Sequence, residues 1–216
     1  MDALRSLIDV FLHVDRHLAE IVANYGLATY AILFAIVFCE TGLVVTPFLP
    51  GDSLLFAAGA LCGPTELSIG VLLPVLMAAA ILGDAVNYWI GFMVGPGFLA
   101  KGKVRFIKRE HLERTQLFYE RHGGKTIILA RFIPIMRTFA PFVAGIGRMS
   151  PVRFFAYNIV GGILWVVSFT LLGYFFGSMP VVKHNFSLVV FGIIGLSVVP
   201  LVVKYFQSRR SPPATS

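Results

Sequence analysis

The chain has 216 residues, of which 57% are hydrophobic and only 13% charged. With a mean hydropathy of +0.82, this composition excludes an ordinary soluble domain and predicts one compact, polytopic membrane domain covering residues 1–216. The net charge of +7 is typical of nucleic-acid binding too, but no groove-reading or aromatic-interleaved motif accompanies the basic residues. We therefore expect no nucleic acid, and we interpret the basic segments as loops retained in the cytoplasm.

The first 24 residues are amphipathic, with apolar residues at helical spacing and charged residues between them. Residues 1–24 are therefore predicted to form a helix lying along the membrane interface. A helix packed on the cytoplasmic face of the protein needs the same pattern, and this alternative stays open.

The first half of the membrane domain, residues 27–95, holds two predicted spans separated by a broken stretch. Residues 27–45 and 69–95 are long enough to cross a bilayer. Between them, the sequence FCETGLVVTPFLPGDS carries Glu40, Pro47, Pro50 and Asp52. Ionisable groups and broken backbone are tolerated at membrane depth only where they are buried in protein or line a cavity. Residues 46–64 are therefore predicted to be a re-entrant segment, with a loop at the membrane edge as the alternative.

The second half, residues 126–206, follows a basic loop at 101–125 and is built in a similar way. Residues 126–149 are apolar but contain Arg131, Pro134, Arg137 and Pro141. Ser150 and Pro151 are typical of a helix start, and spans are predicted over 151–177 and 186–206. Residues 207–216 form a basic tail.

The number of crossings tests the re-entrant interpretation. The basic loop and the basic tail belong on the cytoplasmic side. They share that side if residues 126–149 dip into the membrane and return, and they do not if these residues cross it. With 46–64 also dipping, the N-terminus is cytoplasmic, and the two re-entrant segments enter from opposite faces.

A short sequence echo points the same way. Each predicted re-entrant segment closes on a similar tetrapeptide, Phe56 to Gly59 and Phe142 to Gly145, and the spans after them carry Gly91-x-x-x-Gly95 and Gly173-x-x-x-Gly177. The predicted fold is thus all-α: about four transmembrane helices plus two opposed re-entrant hairpins in an inverted repeat, with an N-terminal amphipathic helix.

Two guanidinium groups are the main candidates for ligand binding. Arg131 and Arg137 flank a proline in LARFIPIMRTFAPF. Arginine stays charged and presents a planar fork suited to phosphate or carboxylate. The alternatives are that both side chains reach the interface or that they form structural pairs with Glu40 and Asp52. Two arginines opposite two acids in broken segments favour a site.

Asp84 lies in the second span and is assigned either to proton relay or to a polar contact between helices. The histidines, at 13, 17, 111, 122 and 184, lie outside the apolar spans and lack metal-ligand spacing. We expect no metal and no cofactor. Trp89 and Trp165 are interpreted as hydrophobic bulk.

Five motifs together resemble the DedA family of bacterial inner-membrane proteins, which is related to the eukaryotic VTT-domain lipid scramblases. The motifs are Glu40 with Pro47-x-x-Pro50-Gly51-Asp52, Gly83-Asp84-x-x-x-Tyr88-x-x-Gly91, Tyr119-x-x-x-Gly123, Arg131-Phe132-x-Pro134-x-x-Arg137-Thr138, and Ala144-Gly145. The resemblance covers nearly the whole chain.

The resemblance implies two opposed re-entrant hairpins and lipid translocation in the bacterial inner membrane. Members carry undecaprenyl phosphate or phospholipid between leaflets, often coupled to the proton motive force. The family's functional groups fall on Glu40, Asp52, Arg131 and Arg137. We expect the arginines to bind the lipid phosphate and Glu40, Asp52 and Asp84 to couple protons, with a membrane lipid and protons as partners.

Two other functions are weighed against this expectation. A proton-coupled antiporter of small ions or drugs would use the acids as ligands, but the paired arginines suit an anion and would repel a cation. An enzyme is not expected, because no nucleophile stands beside a base and arginines would keep an aspartate pair ionised. A homodimer is left open.

Overall fold

The computed structural model describes residues 14–43, 51–101 and 124–177, together with positions 179, 180, 182 and 192. In these residues every regular element longer than one turn is an α-helix. The helices are α1 Val14–Tyr25, α2 Thr29–Gly42, α3 Gly51–Leu61, α4 Ile69–Lys101, α5 Lys125–Ala130, α6 Pro134–Ile146 and α7 Pro151–Phe176. A 3-10 turn, Gly26–Ala28, joins α1 to α2. The all-α class is therefore confirmed.

Three stretches in the described residues are long and apolar enough to cross a membrane: His17–Gly42, Ile69–Gly95 and Pro151–Phe176. They contain most of three of the four predicted spans. The fourth, 186–206, lies outside the described residues apart from position 192. Residues 1–13, most of the basic loop and the tail at 207–216 also lie outside them.

Helix α4 is longer than its sequence predicts. The predicted span ends at residue 95, but the helix continues through Pro96 and Gly97 to Lys101. Proline removes one backbone donor and strains the preceding turn. A proline in a membrane helix is tolerated when neighbouring groups form hydrogen bonds with the backbone carbonyl that has lost its donor. Pro74 in α4 and Pro141 in α6 also lie inside helices.

Helices α3 and α6 are too short to cross a bilayer. They have 11 and 13 residues, about 16 and 20 Å at 1.5 Å per residue, against about 30 Å of hydrocarbon. The chain bends between α5 and α6 over residues 131–133, and Pro134 begins α6, where its fixed φ and missing N–H suit a first turn. The re-entrant placement of both segments, and the sides from which they enter, remain predictions.

The predicted sequence echo corresponds to a repeated packing arrangement. Each short helix packs on the long helix of the other half: α3 lies against α7, and α6 lies against α4. A Cβ added to Gly173 would overlap the Phe56 carbonyl, and one added to Gly91 would overlap the Phe142 carbonyl. In the reverse direction, Gly59 faces the Thr170 carbonyl and Gly145 faces the Tyr88 carbonyl. The same two contacts thus occur twice, once in each pair of helices.

This close approach has a physical reason. Lipid tails are as apolar as leucine, so helices in a membrane associate through van der Waals packing and polar contacts rather than the hydrophobic effect. Glycine lets two backbones touch, which maximises that packing. Every residue from Gly51 to Gly59 is buried, so α3 is enclosed by protein along most of its length.

Helix α1 packs on the protein through Leu18 and Val22, which are buried. Leu18 belongs to the same apolar cluster as Leu54 and Leu55 of α3. The described part of the N-terminal helix therefore has a protein-facing side, whereas its predicted position at the interface is not tested.

Candidate functional site

Arg137 binds two carboxylates that come from the other half of the chain. Its Nη1 lies 2.6 Å from Asp52 Oδ1 and its Nη2 lies 2.6 Å from Glu40 Oε1. Glu40 stands near the end of α2, Asp52 in the first turn of α3 and Arg137 in α6. At 3%, 7% and 5% exposure, all three are removed from solvent. Charge-assisted bonds of this length are among the strongest in proteins.

Trp165 of α7 completes this group, although its sequence context suggested only bulk. Its indole N–H donates to Asp52 Oδ1 over 2.8 Å, and its ring centroid lies 4.6 Å from Arg137 Cζ. The residue is fully buried. A cation over the face of tryptophan is attracted by the ring quadrupole, so Trp165 positions both members of the ion pair. Glu40, Asp52, Arg137 and Trp165 are called the Arg137 cluster below.

Gly51 explains why the acids sit beside a Pro-Gly-Asp sequence. Its backbone N–H donates to Glu40 Oε1 over 3.2 Å. A Cβ at this position would overlap the Glu40 carboxylate. Only glycine allows the backbone to approach that carboxylate so closely. The start of α3 is thereby fixed against the end of α2.

A second group surrounds Arg131, which lies just after α5. Arg131 Nη2 lies 2.5 Å from Asp84 Oδ2 of α4, and it also donates to Asn158 Oδ1 of α7. Asn158 in turn donates from Nδ2 to the Ile81 carbonyl over 3.0 Å. Asp84 and Arg131 are each 1% exposed. Asp84, Arg131 and Asn158 are called the Arg131 cluster below.

Space for the Arg131 side chain comes from two glycines of α7. A Cβ on Gly161 would lie 3.1 Å from Arg131 Cδ, and one on Gly162 would lie 3.5 Å from Arg131 Nη2. Alanine here would press on the guanidinium or on Ile81, whose Cγ1 would be 3.0 Å away. The pair was not identified from the sequence, where only glycines four residues apart were considered.

Asn87 connects the elements that carry the two clusters. Its Nδ2 donates to the Thr41 carbonyl of α2 over 3.1 Å and to the Thr138 carbonyl of α6 over 2.9 Å. Thr41 is the neighbour of Glu40, and Thr138 the neighbour of Arg137. One amide of α4 therefore sets the spacing of the helices that bring the Arg137 cluster together.

Several buried polar atoms of the clusters have no hydrogen-bond partner among the described residues: Glu40 Oε2, Asp84 Oδ1, Arg131 Nε and Arg131 Nη1. The five ionisable residues also do not balance, since three carboxylates face two guanidiniums. Buried charge without compensation is costly. The site thus has an excess negative charge when fully ionised, together with unused donors on Arg131.

The structure gathers the five predicted site residues into two buried clusters, but not in the expected pairs. The sequence suggested one acid for each arginine, from Glu40 and Asp52. Instead, both of these acids bind Arg137, while Arg131 takes Asp84. Asn158, Trp165, Asn87 and Gly51 complete the arrangement, and an asparagine in a predicted membrane span is the feature that could have indicated Asn158.

The sequence matches a known family of membrane proteins. Residues 49–175 match the VTT domain. The chain is 54% identical over 213 residues to the protein DedA of Escherichia coli K12, which covers 98% of this chain and 97% of that protein. This chain therefore belongs to the VTT-domain, or DedA, family of membrane proteins, as the motifs predicted.

More distant relatives carry similar descriptions. The chain is 42% identical over 194 residues to an uncharacterised membrane protein of Mycobacterium tuberculosis, covering 88% of this chain and 85% of the relative. It is 34% identical over 171 residues to the inner membrane protein YghB of Escherichia coli K12, with coverages of 79% and 75%. No solved structure matches significantly.

Proposed function

We propose that this protein is a proton-coupled lipid transporter that moves an anionic lipid, undecaprenyl phosphate or a phospholipid, between the leaflets of the bacterial inner membrane. The observation that carries the proposal is the double engagement of Arg137 by Glu40 and Asp52 in the core of a membrane-protein fold. A guanidinium held by two carboxylates is also a guanidinium that an exchanging phosphate can take over.

The excess negative charge of the buried site gives a bound proton its role in this proposal. With three acids and two arginines buried together, one added proton neutralises the group. In the Arg137 cluster, Glu40 has an oxygen to receive it, because no described group donates to its Oε2. A protonated Glu40 attracts Arg137 less strongly, and the guanidinium becomes available to an anionic ligand. Proton binding and phosphate binding are then linked by competition for one side chain.

Arg131 supplies further donors for the phosphate. Its Nη2 is used by Asp84 and Asn158, but Nε and Nη1 have no partner among the described residues. Buried guanidinium N–H groups without acceptors are unfavourable, and phosphate oxygens or water would satisfy them. Asp84 balances Arg131 when no ligand is bound, and its protonation would release that guanidinium in the same way.

The family and the charge distribution support the following placement in the membrane. One relative is named an inner membrane protein. The N-terminus, the 101–125 loop and the C-terminus are placed in the cytoplasm, with 46–64 entering from the outer face and 126–149 from the inner face. The two re-entrant segments then meet near the midplane, where Asp52 and Arg137 pair.

A proton-coupled antiporter of small ions or drugs is the second candidate, because the excess carboxylate suits a cation. Purification in a mild detergent followed by mass spectrometry of retained lipids tests the choice. Enrichment of an isoprenyl phosphate or of one anionic phospholipid, reduced by Arg137→Lys, supports the lipid transporter. Stabilisation by a cation, with no enriched lipid, supports the antiporter.

A further inference from the structure

A cleft of about 560 Å³ lies where α6 ends and α7 begins, apart from both buried clusters. Its lining residues are Gly124, Arg148, Met149, Ser150, Arg153 and Tyr157. Arg148 and Arg153 are exposed and Tyr157 is partly buried. Two guanidiniums, a phenol and a hydroxyl therefore surround a space large enough for a phosphate group and part of the molecule that bears it.

Arg148 occupies a backbone position that usually belongs to glycine. The C-terminus of helix α6 is capped by two backbone hydrogen bonds in the Schellman pattern. Arg148 N–H donates to the Gly145 carbonyl over 3.0 Å, and Met149 N–H donates to the Ala144 carbonyl over 2.9 Å. This pattern needs a left-handed residue, normally glycine, and Arg148 has φ 52°. A left-handed conformation is unfavourable for a side chain as long as arginine. The sequence thus places a guanidinium at the cleft where backbone geometry favours glycine.

The surrounding contacts hold this cleft in shape. Arg148 Cζ lies 5.6 Å from the Phe92 ring centroid. Tyr88 donates its hydroxyl to the Met149 carbonyl over 2.5 Å and stacks on Phe154 with centroids 4.2 Å apart. The linker between α6 and α7 is therefore tied to α4, and the two arginines project from a fixed support.

No carboxylate of the described residues forms an ion pair with Arg148 or Arg153. Ser150, at the N-cap of α7, makes no side-chain capping bond, so its hydroxyl is not used by the helix. The N-terminus of α7, a helix of 26 residues, adds the partial positive charge of its backbone amides. Every one of these features favours an anion.

The cleft stands at one end of a predicted span, since α7 is long and apolar enough to cross a membrane. Its first turn therefore lies at the membrane surface. Val152, between Pro151 and Arg153, is 81% exposed, which places an apolar side chain beside the guanidiniums. We propose that this cleft binds the phosphate of an anionic lipid at the membrane surface, separately from the buried clusters and whether or not the protein transports.

Arginine-to-glycine substitution gives a direct test. Full-length protein in detergent is titrated with dioctanoyl phosphatidic acid, with dioctanoyl phosphatidylcholine and with sodium phosphate, following binding by microscale thermophoresis and thermal unfolding. Arg148→Gly relieves the left-handed strain but removes the guanidinium. It should leave the unfolding midpoint unchanged or higher while weakening phosphatidic acid binding about tenfold, the size of one lost charge-assisted hydrogen bond. Arg153→Gln should weaken binding to a similar extent.

Lys125→Gln is the matched control, because it removes one exposed positive charge next to Gly124 without altering the cleft lining. An equal loss of phosphatidic acid affinity in Lys125→Gln would show that binding depends only on the overall positive charge, and this result would overturn the proposed site. Unchanged affinity in Arg148→Gly and Arg153→Gln would also overturn it. If sodium phosphate at millimolar concentration competed for the cleft as effectively as phosphatidic acid does, the assignment of a lipid ligand would be overturned. The fall in phosphatidic acid affinity caused by Arg148→Gly should be the same in the Glu40→Gln background as in the wild-type background, which separates this inference from the proposed transport.

Discussion

Glu40 and Arg137 are 97 positions apart in the chain, yet Glu40 Oε1 and Arg137 Nη2 lie 2.6 Å apart in the protein interior. The contact joins the end of α2 to α6, so it forms only when both halves of the membrane domain are assembled. Arg131 and Asp84 make a second connection of the same kind over 47 positions. The ionisable residues therefore hold the halves together in addition to any role with a ligand.

The Arg131–Asp84 pair predicts a specific rescue. Arg131→Ala leaves a buried carboxylate without its cation and should destabilise the protein by about 3–5 kcal/mol. Adding Asp84→Asn should recover a large part of that loss. Thermal unfolding of the purified variants measures both effects. Adding Glu40→Gln to Arg131→Ala is the control and should recover nothing; recovery there would mean that the ion pairs are assigned wrongly.

Trp165 should tolerate phenylalanine poorly. Trp165→Phe keeps a ring over Arg137 but removes the indole N–H that donates to Asp52, so stability should fall by about 1.5–3 kcal/mol, as expected for a hydrogen bond to a charged group. Trp89→Phe is a matched change at a side chain that is 41% exposed, and we expect a change within about 0.5 kcal/mol. Similar unfolding midpoints for the two variants would contradict the role of Trp165.

The repeated glycine contacts predict that alanine is disruptive at equivalent positions of the two halves. Gly91→Ala and Gly173→Ala would drive a methyl group into the Phe142 and Phe56 carbonyls, separating the helices at a cost of about 1–3 kcal/mol each. Gly70→Ala in α4 has only Ser68 Oγ near, at 3.7 Å, and should be neutral or slightly stabilising. Unfolding of the three variants in one detergent provides the comparison, and equal effects would contradict the packing account.

Membrane orientation can be tested independently of transport. If the basic loop is cytoplasmic, a cysteine replacing Lys103 should not react with an impermeant maleimide added to intact cells, whereas one replacing Lys183 should. Labelling after cell lysis is the control for both. Labelling of Lys103→Cys from outside would refute the orientation deduced from the number of crossings.

Much of the fold could be predicted from sequence because membrane constraints are strong. Apolar length predicted the helices over 69–95 and 151–177. The cost of buried charge drew attention to Glu40, Asp52, Asp84, Arg131 and Arg137, all of which are buried in the structure. The pairing could not be predicted, because it depends on which helices approach each other. Trp165 and Asn158 were missed for a related reason: each is unremarkable along α7 and acquires its role only when α3 and α4 pack against that helix.

The central claim is tested most directly by lipid transport in proteoliposomes with an imposed proton gradient, comparing wild type, Glu40→Gln and Arg137→Lys. Lysine keeps the charge but loses the fork that two ligands share. We predict that the gradient accelerates translocation of undecaprenyl phosphate or an anionic phospholipid by wild type. Glu40→Gln should fold but lose the response to the gradient, and Arg137→Lys should fold but translocate poorly. Gradient-dependent transport at the wild-type rate in both variants would contradict the account.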